Sequence, residues 1–233
     1  MVPGGLFPGT KRTAVPMTFD GDSIGKIGPA VIAGEENMHI SEGVLAWQVL
    51  AGGGAMALAG TTVGTLKMDQ EKIARTGILS AAFFVASLIH IPIGPSSMHL
   101  ILNGLVGIIL GWSAFPAILI ALLLQAILFQ YGGLTTLGVN TVIMAAPAVV
   151  CFYFFRLFAP WPFLQFAAAF MSGVLAILLC AVLAAAALYL SEKNFLELSL
   201  MIMAAHVPVM IVEGLISGFA VVFLRKVKPG LLA

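Results

Sequence analysis

The chain has 233 residues, 61% of them hydrophobic and only 9% charged, where an ordinary soluble domain carries about 25% charged residues. That is too little polar surface to face water on all sides, so the class is membrane protein. The net charge of +1, with basic residues scattered at loop ends and no patch interleaved with aromatics, sets nucleic acid aside as a partner.

Residues 1–37 hold Gly, Pro and charges but no apolar core of signal-peptide length, so they read as a disordered or non-native extension. Gly21 to Lys26 superficially suggests a phosphate loop, but its glycines are one residue too close and Ile27 stands where Ser or Thr would hold magnesium. From Val44 onward, apolar runs alternate with short polar breaks. A bilayer span needs roughly 20 apolar residues, and on that basis helices are placed at about 44 to 66, 75 to 91, 99 to 114, 116 to 130, 139 to 158, 163 to 190 and 201 to 224. The expected fold is an all-α integral membrane domain over residues 38–233. Its third and fourth helices are short and meet at Trp112 to Pro116.

Lys and Arg stay preferentially on the cytoplasmic side. With strictly alternating helices, Lys67, Lys72, Arg75, Arg156, Arg225, Lys226 and Lys228 share one side. The polypeptide is therefore expected to enter from outside and end inside. Three polar segments then face outward, at 38–43, 91–99 and 130–140.

Those segments contain His39 and His99, at helix mouths where a neutral imidazole can ligate a transition metal. Interfacial histidines bonded to backbone carbonyls are the bland alternative. Met38 directly precedes His39. If Met38 is the first residue, its amine, the His39 main-chain nitrogen and the His39 ring form a compact chelate, with His99 as a fourth nitrogen. Such a set suits Ni(II), Cu(II) or low-spin Co(II) better than Mg or Ca. Glu42 is read as stabilising the start of the first helix. Glu213 is a carboxylate inside an apolar run, on the same helical face as His206. These two could form a hydrogen-bonded pair, gate an exit or relay protons, or Glu213 could be structural. Pro208 is expected to bend this helix. Cys151 and Cys180 read as small buried hydrophobes. The small residues from Gly52 to Gly60 permit close helix approach, for internal packing or for docking a partner.

Several of these motifs together, Met-His-Ile-x-Glu-Gly at 38–43, a loop with Gly94 and Ser97 ending in His99, Gly-Gly-Leu-Thr-Thr-Leu-Gly-x-Asn at 132–140, and His206 with Glu213, resemble the CbiM/NikM family. Members are substrate-binding membrane subunits of energy-coupling factor (ECF) transporters for cobalt and nickel. The resemblance implies metal ligands at Met38, His39 and His99, with Asn140 ordering the loop that packs near the site and neither His206 nor Glu213 made a ligand; Glu42, Ser97, His206 and Glu213 are candidate supporting residues. It implies Co2+ or Ni2+ as cargo, cobalt placed ahead, and no catalytic cofactor or enzyme activity. Implied partners are a CbiQ/NikQ-like coupling subunit, CbiO/NikO-like ATPases, a small CbiN/NikN/NikL-like accessory subunit and the lipid of a prokaryotic cytoplasmic membrane. The loop from Ile91 to Met98 matches neither the Ser-rich cobalt version nor the Gly-rich nickel version.

A terminal amine cannot be a ligand inside a peptide bond, so translation is expected to begin at Met38. Gly34-Glu35-Glu36-Asn37 must be encoded by a purine-rich string resembling a ribosome-binding site. A genuine soluble tail, or a start at Met17, is the alternative. Rival functions are an organic-vitamin subunit of the same transporter class, a membrane metalloenzyme and a stand-alone channel.

Overall fold

The computed structural model describes residues 40–93, 96–191 and 206–232, with the backbone alone for 90–93 and 96–99. The chain divides into Met1–Glu36 and Asn37–Ala233, and every described residue belongs to the second unit. Its helices are α1 (Trp47–Leu66), α2 (Gln70–Ala86), α3 (Asn103–Leu110), α4 (Ala114–Phe129), α5 (Leu137–Phe158), α6 (Gln165–Ser191) and α7 (Val207–Val227). A short antiparallel hairpin, β1 (His90–Ile93) and β2 (Ser96–His99), joins α2 to α3. The architecture is thus helical with one hairpin added. Met38 and His39, the 1–37 extension and residues 201–205 of the expected last helix lie outside the described residues.

Helix directions follow from which residues touch. Gly53, Ala57, Gly60 and Gly64 form a buried stripe on α1. Added Cβ atoms there would overlap Val139 at Gly53, the Phe115 ring at Gly60 and the Trp112 carbonyl at Gly64. The start of α1 therefore lies on the start of α5, and its end on the start of α4. This half of the small-residue run is internal packing, the close approach that small residues allow. Along α3, Asn103 donates to the Met144 carbonyl at 3.3 Å, Gly107 abuts the Ala148 backbone and Gly111 the Phe152 ring. Steps of four on both helices make α3 parallel to α5. Ser80 donates to the Ala117 carbonyl, and Gln125 to Ser87, both at 2.7 Å, so α2 and α4 are parallel. Cys151 bonds Ser172 and Cys180 bonds Ile143, both at 3.1 Å, making α5 and α6 antiparallel. Gly173 against Glu213 and Gly218 against Phe166 do the same for α6 and α7.

Each described helix therefore runs opposite to the one before it. The helical run Asn103–Phe129 folds back on itself at the 3-10 turn Gly111–Ser113. Gly111 enters that turn at φ +56, a conformation that costs glycine little and a bulky residue much. Among the described residues, five stretches are long and apolar enough to cross a membrane: Trp47–Leu66, Asn103–Phe129, Leu137–Phe158, Pro162–Ser191 and Val207–Val227. Because the second of these reverses, α3 by itself, 8 residues long and so about 12 Å, falls short of a hydrocarbon core of about 30 Å.

Two prolines behave differently from each other. Pro208 sits in the first turn of α7, where its missing N–H costs nothing, so it does not bend the helix interior as expected. Pro147 lies inside α5 and has no N–H for the Ile143 carbonyl. The Cys180 thiol donates to that carbonyl instead, while Asn103 donates to the Cys180 sulfur at 2.9 Å. Both cysteines are buried and free.

Candidate metal site

The starts of α1, α3, α5 and α7 and the ends of α2, α4 and α6 gather at one end of the bundle. Residues 40–46 cross this end and are fastened at three points. The Asn140 side chain accepts from the Ile40 N–H and donates to the Ile40 carbonyl, both at 3.1 Å, and it is steadied by Thr136 Oγ1 at 3.3 Å. Asn140 and Ile40 are both buried, so this two-way clamp satisfies backbone groups that have no access to water. Glu42 accepts from the Thr135 N–H at 3.2 Å, and Gly133 at φ +138 leaves room for its side chain, which an added Cβ would overlap. Glu42 therefore ties the chain to the loop before α5 rather than capping α1. Ser191, at the end of α6, accepts from the Ala46 N–H at 3.1 Å and so supplies the partner for the start of α1.

A second anchor holds the chain after the hairpin. Glu213 is fully buried, one carboxylate oxygen accepting from the N–H groups of Ile101 and Leu102 and the other from Leu102 at 3.0 Å. Leu102 sits in the left-handed region at φ 58, directing its N–H and that of Ile101 toward this carboxylate at the start of α3. A buried carboxylate receiving several charge-assisted bonds is a strong positional restraint. Of the uses considered for Glu213, the geometry assigns it a positioning one.

Asn140 thus fixes the residue directly after His39, and Glu213 fixes residues two and three positions after His99. Met38 and His39, and the side chains of Ser97 and His99, lie outside the described residues. Among the described residues no three His, Cys, Asp or Glu side chains converge. The backbone places His99 directly opposite His90 in the hairpin register. His90 was not singled out from sequence because it lies within an apolar run read as helix. His206 is buried at the start of α7, at the same end of the bundle.

A family model described as cobalt uptake substrate-specific transmembrane region matches residues 39–231. A Haemophilus influenzae protein provisionally named a metal transport protein is 42% identical over 196 residues, covering 82% of this chain and 95% of its own length. An Archaeoglobus fulgidus protein provisionally named a fused nickel transport protein, NikMN, is 30% identical over 202 residues, covering 84% of this chain and 68% of its own. The solved crystal structure of a transition metal transporter matches with a TM-score of 0.72 at 29% identity, over 82% of this chain and 94% of that one. With the helical, multi-pass architecture and the anchored mouth, these likenesses make the chain a membrane transport component of the CbiM family, and not an enzyme.

Proposed function

We infer that this chain is the substrate-capturing membrane subunit of an ECF-type ABC transporter importing a divalent transition metal, with cobalt ahead of nickel. The observation that carries the reading is the paired anchoring of the mouth: Asn140 on Ile40 beside His39, and Glu213 on Ile101 and Leu102 just past His99. Metal ligands held within tenths of an ångström by neighbouring hydrogen bonds bind without a further ordering cost. The proposed ligands are the amine of Met38, the main-chain and ring nitrogens of His39 and the ring of His99. The reading therefore requires translation to start at Met38. The family model's description as a cobalt uptake region supports the order of metals.

Orientation follows from charge. Lys67, Lys72, Arg75, Arg156, Arg225, Lys226 and Lys228 lie where α1, α5 and α7 finish or just beyond, so that end faces the cytoplasm of a prokaryotic inner membrane and the anchored mouth faces outward. Seven helices crossing or entering the bilayer fit this arrangement, with the carboxyl terminus inside. The name of the fused NikMN relative supports an accessory partner of the NikN kind. A CbiQ/NikQ-like coupling subunit and CbiO/NikO-like ATPases complete the machine and supply the energy.

The test is accumulation of radiolabelled cobalt and nickel in cells expressing this chain with those partners. Uptake should require the ATPases and collapse for His99→Ala. Undiminished uptake with inactive ATPases would replace this reading by a channel, uptake indifferent to His99 would overturn the ligand set, and no uptake of either metal by the unmodified chain would move the reading toward a non-metal cargo.

A further inference from the structure

The connection between α2 and α3 holds a histidine, His90, that the proposed ligand set leaves out. The hairpin register pairs His90 with His99, Ile91 with Met98, Pro92 with Ser97 and Ile93 with Ser96. The ladder runs one rung further, where the Leu100 N–H donates to the Ile89 carbonyl at 3.3 Å. Hydrogen-bonded and non-hydrogen-bonded pairs alternate along an antiparallel ladder, so the His90–His99 and Pro92–Ser97 pairs are both of the non-hydrogen-bonded kind. Pro92 fits this parity, because its missing N–H there leaves no ladder bond unmade. The period of two along a strand then sorts the hairpin into His90, Pro92, Ser97 and His99 on one face and Ile91, Ile93, Ser96 and Met98 on the other. Both histidines fall on the less apolar face, at the kind of pair whose Cβ atoms come closest, about 4.5 Å apart.

Both legs of the hairpin are held just outside this pair. On the way in, Gln125 Nε2 donates to Ser87 Oγ at 2.7 Å, and the Ser87 hydroxyl donates in turn to the Phe84 carbonyl at 2.6 Å. Ser87 and Gln125 are both buried, so this relay is shielded from competing water. On the way out, Glu213 accepts from the N–H groups of Ile101 and Leu102. One anchor thus lies three residues before His90 and the other two to three residues after His99, which fixes the base of the hairpin where the pair stands. Two nitrogens bonded to one ion at about 2.1 Å, at a right angle, are about 3 Å apart. Imidazoles on such a cross-strand pair can meet that spacing.

We propose that His90 is a further metal ligand, sharing one ion with His99 across the hairpin. This rests on the metal-uptake reading and adds a fifth nitrogen to the Met38 amine, the two His39 nitrogens and the His99 ring. Four nitrogens in a plane satisfy Ni(II). An off-plane fifth raises the coordination number, which planar d8 Ni(II) resists and d7 Co(II) accepts, so His90 tilts selection toward cobalt.

The experiment uses the protein starting at Met38 and compares wild type, His90→Ala and His99→Ala. Co(II) and Ni(II) affinities come from competition with a chelator. Proton NMR of the Co(II)-loaded protein counts ligating imidazoles, because each shows a ring N–H signal moved far outside the ordinary range by the paramagnetic ion. Three such signals are expected for wild type and two for His90→Ala. Co(II) affinity in His90→Ala should fall at least about tenfold, the lower end of what partners merely adjoining a metal's ligands cost, and Ni(II) affinity should fall less. His90→Gln, similar in bulk, carries the same expectation if the alanine variant does not fold. An unchanged signal count on replacing His90 overturns the inference even if affinity drops, since a residue that only supports the hairpin would do that, and leaves the metal reading standing. Failure of the wild-type protein to bind either metal overturns both.

Discussion

Replacing Asn140 by alanine removes both hydrogen bonds to the Ile40 backbone. Each such bond is worth about 1 kcal/mol net, so the loss is about 2 kcal/mol, and more if Ile40 stays buried with its N–H and carbonyl unpaired. The cost falls on the segment next to His39, which must then be ordered during metal binding. At 1.4 kcal/mol per decade, Co(II) or Ni(II) affinity should fall about thirtyfold. Asn140→Asp keeps an acceptor for the Ile40 N–H but sets a carboxylate oxygen against the Ile40 carbonyl, and should be no better than alanine. Titration calorimetry on the protein starting at Met38, with a chelator to buffer the metal, measures this. An Asn140→Ala affinity within about twofold of wild type, in a folded protein, refutes the anchoring argument.

Glu213→Ala should destabilise by about 3 kcal/mol, the value of charge-assisted bonds to buried N–H groups, lowering the melting temperature by roughly 6 to 12 °C. Glu213→Gln retains one acceptor and should lose about half of that; equal losses would contradict the geometry. Gly133→Ala should weaken metal binding through its overlap with Glu42, and Glu42→Ala in the same chain should restore part of the loss, a non-additivity whose absence would show that the two do not press on each other. Gly107→Ala pushes a methyl into the Ala148 backbone and should cost about 1 to 3 kcal/mol, seen as a lower melting temperature, whereas Gly52→Ala, with open space around it, should be close to neutral. The Asp69 carboxyl is held below its ordinary value of 3.8, first by the Lys72 backbone N–H and then by the Lys72 ammonium. Its contribution is therefore present at neutral pH and lost only as pH falls below 3.8. Hydrogen exchange in the first turn of α2, corrected for intrinsic rate, should accelerate only there; acceleration centred near about pH 5 would contradict it.

The membrane class and most of the helical stretches were legible because apolar length is a strong signal, and α1, α5 and α6 begin and end within a few residues of expectation. The misses came where hydropathy is blind to local chemistry. The start of α2 is set by the Asp69 cap, which places it at Gln70 rather than about 75. Its end at Ala86 precedes a run, Ile89-His90-Ile91-Pro92-Ile93, that reads as apolar helix but whose β-branched residues and proline favour a strand. The hairpin also took His99 from the expected third helix, which starts at Asn103 rather than about 99. In the site, the resemblance points to Asn140 and the apolar surroundings point to Glu213, but their backbone targets, 100 and about 111 residues away in sequence, are tertiary facts no local pattern encodes. Ser191, Gly133 and the compensation of Pro147 by Cys180 belong to the same kind.

The most direct test of the central claim is metal binding by the protein beginning at Met38, beside the form carrying residues 1–37 and beside His39→Ala. The account predicts tight Co(II) or Ni(II) binding by the short form alone, abolished by the substitution. Equal binding by the extended form would contradict the terminal-amine ligand, and binding indifferent to His39 would contradict the site itself.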